Sequence, residues 1–195
     1  MILDVGCGPR LPYVRPSQSL VLGVDASFES LRRNIDVDVR VYASAISLPI
    51  ASNSVDAIVC FYSLHHVVGT TVQDNQRLVR RTLAEFARVL ANGGRVVIFD
   101  VAPWWVPWAV QRAAWNAVRY ILGGALNMFF WRRRELFSLV TATFRAPSAV
   151  ESFTFRVPAL TMFPPAFAVP RLRLPRFLYP FDINMYTWQS VGTGS

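Results

Sequence analysis

Short apolar runs closed by turn residues dominate the first half of the chain, and a helical period interrupts them. Residues 1–5 form such a run, ended by Gly6 and Gly8, and residues 20–24, 37–42 and 55–62 repeat the pattern. Each predicts a buried strand. Ser27 precedes "FESLRRN" and reads as the N-cap of a short helix. Over residues 73–90 the period changes. Leu78, Leu83, Phe86, Val89 and Leu90 share one face, while Arg80, Arg81 and Glu85 point away from it, which predicts an amphipathic helix. "ANGG" is expected to end that helix through a left-handed Gly93 or Gly94. "RVVIFDV" at 95–101 is then a fifth strand. The alternation predicts an α/β fold built on a doubly wound, mostly parallel sheet.

The second half reads differently. Residues 104–131 are almost continuously apolar, yet Arg112, Asn116 and Arg119 recur at helical spacing, so a transmembrane span is not expected. Such a helix suits a cap over an apolar substrate, an interfacial position, or ordinary packing on a sheet. "RRRELFSLVTATF" predicts another helix. "ESFTFRV" and "FDINMYTW" predict a closing pair of strands, separated by a proline-rich loop over 158–180. We therefore expect one domain, with a ligand-binding half at 1–103, an apolar helical cap at 104–145 and a closing hairpin at 146–195.

The chemistry concentrates where strands end. Glycine at positions 6 and 8 allows a tight turn and close approach of backbone to a ligand. Asp25 ends the second strand about twenty residues later, the spacing at which a carboxylate receives the ribose hydroxyls of a bound nucleoside. Asp25 could equally cap a helix. A dinucleotide fingerprint would need a third glycine where Leu11 stands, and Pro12 and Pro16 interrupt the helix that would hold a pyrophosphate. S-adenosylmethionine carries no phosphate and tolerates that loss.

Four segments in order, "LDVGCGPR", "VLGVDAS", "YASAISLPIASNSVDAIVCFYSLHHV" and "EFARVLANGGRVVIFDVAP", resemble the class I S-adenosylmethionine-dependent methyltransferases, in particular the ubiquinone/menaquinone-type (methyltransferase type 11) group. The resemblance spans residues 1–103. It implies a seven-stranded Rossmann-like sheet with a helical insertion after strand five. It implies cofactor contacts from Asp4, Gly6, Cys7, Gly8, Asp25, Ala26, Ser44, Ala45 and Phe61. Arg10 stands where the family usually has a third glycine, and Ser44 where an Asp usually meets the adenine amino group. Family members also carry helices ahead of strand one that cover the cofactor. Met1 opens the strand here, so the cleft is expected to be open, degenerate or completed by another subunit.

Methyl transfer from a sulfonium needs alignment and a dry pocket, with a base only for protonated acceptors. His66 is the preferred candidate base, with His65 and Tyr62 as alternatives; a histidine after this strand could instead hydrogen-bond a loop. All twenty basic residues are arginine, which excludes a Schiff-base lysine and a Walker-type lysine. The net charge of +8 raises nucleic acid as a partner. The arginines are scattered, however, "SLHH" lacks the Asn/Asp-Pro-Pro-aromatic signature, and Cys60 follows no proline, so nucleic acid is not expected. Cys7 and Cys60 suggest neither a disulfide framework nor a metal site, which makes a cytoplasmic location the expectation, with peripheral contact at a membrane. The expected function is methyl transfer from S-adenosylmethionine to a small apolar or aromatic acceptor. The alternative is a non-catalytic methyltransferase-fold protein that binds a partner or a membrane surface.

Overall fold

The chain alternates strand and helix through its first half, in the order β1 (Ile2–Val5), β2 (Val21–Asp25), α1 (Phe28–Arg33), β3 (Val39–Tyr42), β4 (Val55–Phe61), α2 (Val72–Val89) and β5 (Leu90–Pro103). It continues through α3 (Trp105–Leu122), α4 (Arg133–Thr143), β6 (Glu151–Phe155), β7 (Leu160–Met162), β8 (Arg173–Pro175) and β9 (Phe181–Gln189). The computed structural model describes residues 1–125, 127–144, 150–155, 160–162 and 173–189.

Seven strands form one sheet in the order β3-β2-β1-β4-β5-β9-β6. The first five are parallel, and β9 runs antiparallel to both β5 and β6. This is the doubly wound sheet expected from the sequence, closed by the expected antiparallel pair. One face of the central strands is fully buried: Leu3, Val5, Ile58, Cys60, Val96 and Ile98, at alternate positions of β1, β4 and β5, are sealed from solvent, whereas Ile2, Ala57, Val59 and Val97 on the other face are half-buried. Against them α2 lays Val79, Leu83, Phe86 and Val89. Thr71 caps α2 by accepting the Asp74 amide at 3.1 Å, and Ser27 caps α1 by accepting the Ser30 amide at 3.2 Å.

Several boundaries differ from the sequence reading. No glycine ends α2. Leu90 is already extended and pairs with Val55, so strand pairing stops the helix at Val89. The register then shifts between Val55 and Ala57, and Gly93 takes its positive φ of 80° inside that irregularity. The apolar helix stops earlier than residue 131. Gly123, with φ 52°, terminates α3, a single 3-10 turn follows at Gly123–Ala125, and Phe129 and Trp131 sink into the main core. Residues 163–172 of the proline-rich stretch lie outside the described residues, as do 145–149 and 156–159. Its described edges, β7 and β8, pair as a separate small antiparallel sheet.

Candidate active site

Strand order reverses between β1 and β4, because the chain winds outward to β3 and then returns across β1. In open α/β sheets such a reversal leaves a crevice at the carboxyl ends of the strands. A cavity of about 780 Å3 lies there, walled by the ends of β1, β2, β3 and β4.

The turn after β1 is built for close approach. Gly6 has φ 73°, and a Cβ placed on it would lie 1.8 Å from Ser63 Oγ, the residue just beyond β4. The loop is staked from below by three polar side chains. Asp25 accepts the Gly8 amide on Oδ2 at 2.8 Å and the Ser27 amide on Oδ1 at 2.7 Å. Asn34, fully buried, donates its side-chain amide to the Gly8 carbonyl at 2.9 Å and the Cys7 carbonyl at 3.3 Å. Asp36 accepts the Leu11 amide at 3.0 Å. Sequence reasoning missed Asn34 and Asp36. The only signal was a polar pair just past a short helix, and that pattern is common to many loops.

Ten of the twelve residues expected in the site line this one cavity: Gly6, Cys7, Gly8, Asp25, Ala26, Ser44, Ala45, Phe61, Tyr62 and His66. Asp4 and His65 do not. Asp4 is fully buried beneath the loop, where Tyr13 donates its hydroxyl to Oδ2 at 3.0 Å and Oδ1 has no partner. Burial pushes its carboxyl up to about 7. Tyr13 covers it and stacks on Phe61 at 5.3 Å between centroids, which explains why Asp4 supports the wall instead of forming it. His65 is likewise buried. Its Nδ1 lies 2.6 Å from Asp100 Oδ1, its amide donates to Asp100 Oδ2, and its ring stacks on Phe130. It pins the turn after β4 to β5.

His66 faces the cavity. Its Nδ1 is 3.1 Å from the Asn127 carbonyl, which can only accept, so Nδ1 carries the proton and Nε2 keeps its lone pair. Burial and the neighbouring His65 hold its pKa below the ordinary imidazole value. Tyr62 occupies a left-handed conformation, φ 49°, with its amide held by the Phe99 carbonyl at 2.7 Å. Backbone strain of this kind gathers where a site fixes geometry. Its phenol is shifted upward by burial and by Asp100, so it is a proton donor. The thiol of Cys7 is pushed up to about 12 by burial and by Asp4 and Asp25, which leaves it a wall residue and no nucleophile.

Of the apolar segment 104–131, which the sequence offered as a cap, only Asn127 lines the cavity among the described residues. Trp115 and Trp131 are core residues. The apolar lining comes from Val67, Val68, Leu78, Ile46 and Phe61 instead.

Arg10 also lines the cavity, and it forms no hydrogen bond or ion pair among the described residues. A free guanidinium beside the glycine turn is suited to a carboxylate ligand. Arg10→Ala is expected to weaken S-adenosylhomocysteine binding roughly fivefold to tenfold, with the loss shrinking at high salt. Isothermal calorimetry at two ionic strengths checks this.

Comparison with known proteins agrees with this architecture. Residues 3–98 match the family model described as "Methyltransferase domain". The YcgJ protein of Bacillus subtilis superposes with a TM-score of 0.61 at 17% identity, over 97% of this chain and 91% of that one. A geranyl diphosphate C-methyltransferase of Streptomyces coelicolor, solved with Mg2+, geranyl diphosphate and S-adenosylhomocysteine, superposes with a TM-score of 0.62 at 15% identity, over 97% and 70%. A Haloferax volcanii methyltransferase structure, solved with the Trm112 methyltransferase activator, gives 0.59 at 17%, over 95% and 80%. No curated protein matches the sequence closely enough to count as a relative. The strand order, the glycine turn and the matched motifs converge on one conclusion: this chain has the class I methyltransferase fold, and its residues 3–98 match the methyltransferase-domain family.

Proposed function

We propose that the chain transfers a methyl group from S-adenosylmethionine to a small apolar or aromatic acceptor, both held in the cavity at the β1/β4 reversal. The observation that carries the reading is the joining of the Gly6–Gly8 turn to Asp25. A Cβ at Gly6 would collide with Ser63, so only glycine lets the turn pack this closely on the end of β4, while the space beside Gly8 is open. Each carboxylate oxygen of Asp25 already accepts one amide and retains capacity for one more donor, which fits the paired hydroxyls of a ribose. A cavity of about 780 Å3 falls in the range of cofactor sites.

When bound, the cofactor supplies an activated methyl group on a sulfonium. The chain's own residues then do the rest. Ser44 and Ala45 would hold the adenine end, and Arg10 would receive the carboxylate. Phe61, Val67, Val68 and Leu78 exclude water and favour an apolar acceptor. His66 Nε2 takes the proton released by a hydroxyl, amine or activated carbon. Its tautomer is already fixed by the Asn127 carbonyl, so no reorganisation precedes proton transfer. The apolar chain of geranyl diphosphate in the Streptomyces coelicolor structure supports this acceptor class by analogy of fold alone.

The test is transfer of labelled methyl from S-adenosylmethionine to a panel of phenols, quinols and prenyl compounds. His66→Gln should lower kcat on the order of a hundredfold with unchanged affinity for S-adenosylhomocysteine. Because the His66 pKa is depressed, the imidazole stays neutral below about 6.5. The acid limb of kcat should therefore fall below that pH in the wild type and vanish in the variant. Binding without transfer to any acceptor would instead support the non-catalytic reading, which the Ser44 departure favours.

A further inference from the structure

The outer face of α3 is apolar and uncovered. Val106, Val110, Tyr120 and Ile121 are 60%, 62%, 92% and 76% exposed. With the exposed Ala113 and Ala117 between them, they follow the spacing of one helical stripe, diametrically opposite the buried Trp115. A patch of this length on a soluble protein marks a docking surface.

The chain around it is predominantly basic. No Asp or Glu occurs between Asp100 and Glu135, whereas Arg112, Arg119 and Arg132 to Arg134 do. At the amino end of α3 a second cavity, about 650 Å3, is bordered by Trp104, Trp105, Arg132, Arg133 and Arg134. The acids nearby are already engaged. Asp182 in the cavity wall accepts the Trp104 indole at 3.4 Å. Glu135 accepts the Trp108 indole at 2.7 Å and Arg112 at 3.0 Å. Arg133 donates to Ser152 Oγ at 3.0 Å, and Arg132 lies over the Trp108 ring. Arg134 has no hydrogen bond or ion pair among the described residues. Trp105, 62% exposed, stands at the junction of stripe and arginines.

We infer that this surface docks the protein on an anionic lipid bilayer. The α3 stripe lies in the interface, and the arginine-bordered hollow takes a lipid phosphate. Arginine beside tryptophan at the end of an apolar helix matches the headgroup–acyl boundary. No helix among the described residues is long and apolar enough to cross a membrane, so the contact is peripheral. This surface is separate from the cavity that carries the proposed methyl transfer.

Vesicle co-sedimentation tests it, using phosphatidylcholine alone and phosphatidylcholine with phosphatidylglycerol at about 3:1. The wild type should pellet with the mixed vesicles, far less with the neutral ones, and less at high salt. Val110→Asp with Ile121→Asp should weaken binding on the order of tenfold or more, and Arg134→Glu roughly fivefold. All three positions are on the surface, so circular dichroism and S-adenosylhomocysteine affinity should not change. Equal pelleting with neutral and anionic vesicles, or undiminished binding by the double variant, overturns the inference. So does a wild-type dimer that the double variant converts to monomer, because the stripe then belongs to a second copy of the chain.

Discussion

Gly6→Ala is expected to destabilise the protein by roughly 2–6 kcal/mol and to abolish binding of S-adenosylhomocysteine. Two costs add. A side chain at φ 73° is strained by about 1–3 kcal/mol. The new Cβ would also fall 1.8 Å from Ser63 Oγ and 2.4 Å from Ser63 Cβ, and such overpacking costs about 1–3 kcal/mol when backbone must shift. In a chain of this length that lowers Tm by about 5–20 °C. Gly8→Ala separates the two terms. Its φ is 58°, but nothing lies within 4 Å of the added Cβ, so only the strain should appear. Ser63→Gly in the Gly6→Ala background should recover the steric part and not the rest. Differential scanning fluorimetry on the four proteins reads this directly, and equal losses at Gly6 and Gly8 would show that the contact with Ser63 is unimportant.

Asp4 should make stability fall as pH rises. Its carboxyl titrates near 3.8 in the unfolded chain and about 7 in the folded one, because burial disfavours its charge. The folded state therefore holds the proton more tightly. The resulting stability is full below about pH 4 and is lost as pH rises through about 7, on the order of a few kcal/mol. Above that, a carboxylate with one partnerless buried oxygen remains charged inside the protein. Asp4→Asn cannot titrate, so its Tm should lack this descent between about pH 4 and 7. A variant whose profile parallels the wild type would show that Asp4 is ionised throughout.

The sheet was legible because its strands are apolar on both faces and end in punctuating residues. Gly6, Gly8 and Asp25 were legible as a site because their spacing is fixed by backbone geometry at a strand end. Other features depend on contacts between distant segments, which local pattern does not encode. Leu90 ended a helix before Gly93 because Val55 offered a strand to pair with. Asp4 and His65 have the chemistry of site residues, yet Tyr13 and Asp100 draw them behind the wall. The fate of the apolar run 104–131 was hidden for the same reason: its length was visible, but not that Gly123 ends the helix and that Trp131 enters the core while Trp105 stays on the surface.

The account rests on the cavity at the β1/β4 reversal being a nucleoside site anchored by Asp25. Calorimetric titration of S-adenosylhomocysteine into the wild type and Asp25→Ala, each checked for fold by circular dichroism, tests this most directly. A carboxylate that accepts two hydroxyls makes charge-assisted bonds worth about 1.5–3 kcal/mol. The wild type should bind with one-to-one stoichiometry, and the folded variant should bind at least about tenfold more weakly. No binding by the wild type, or equal affinity in the two proteins, would contradict it.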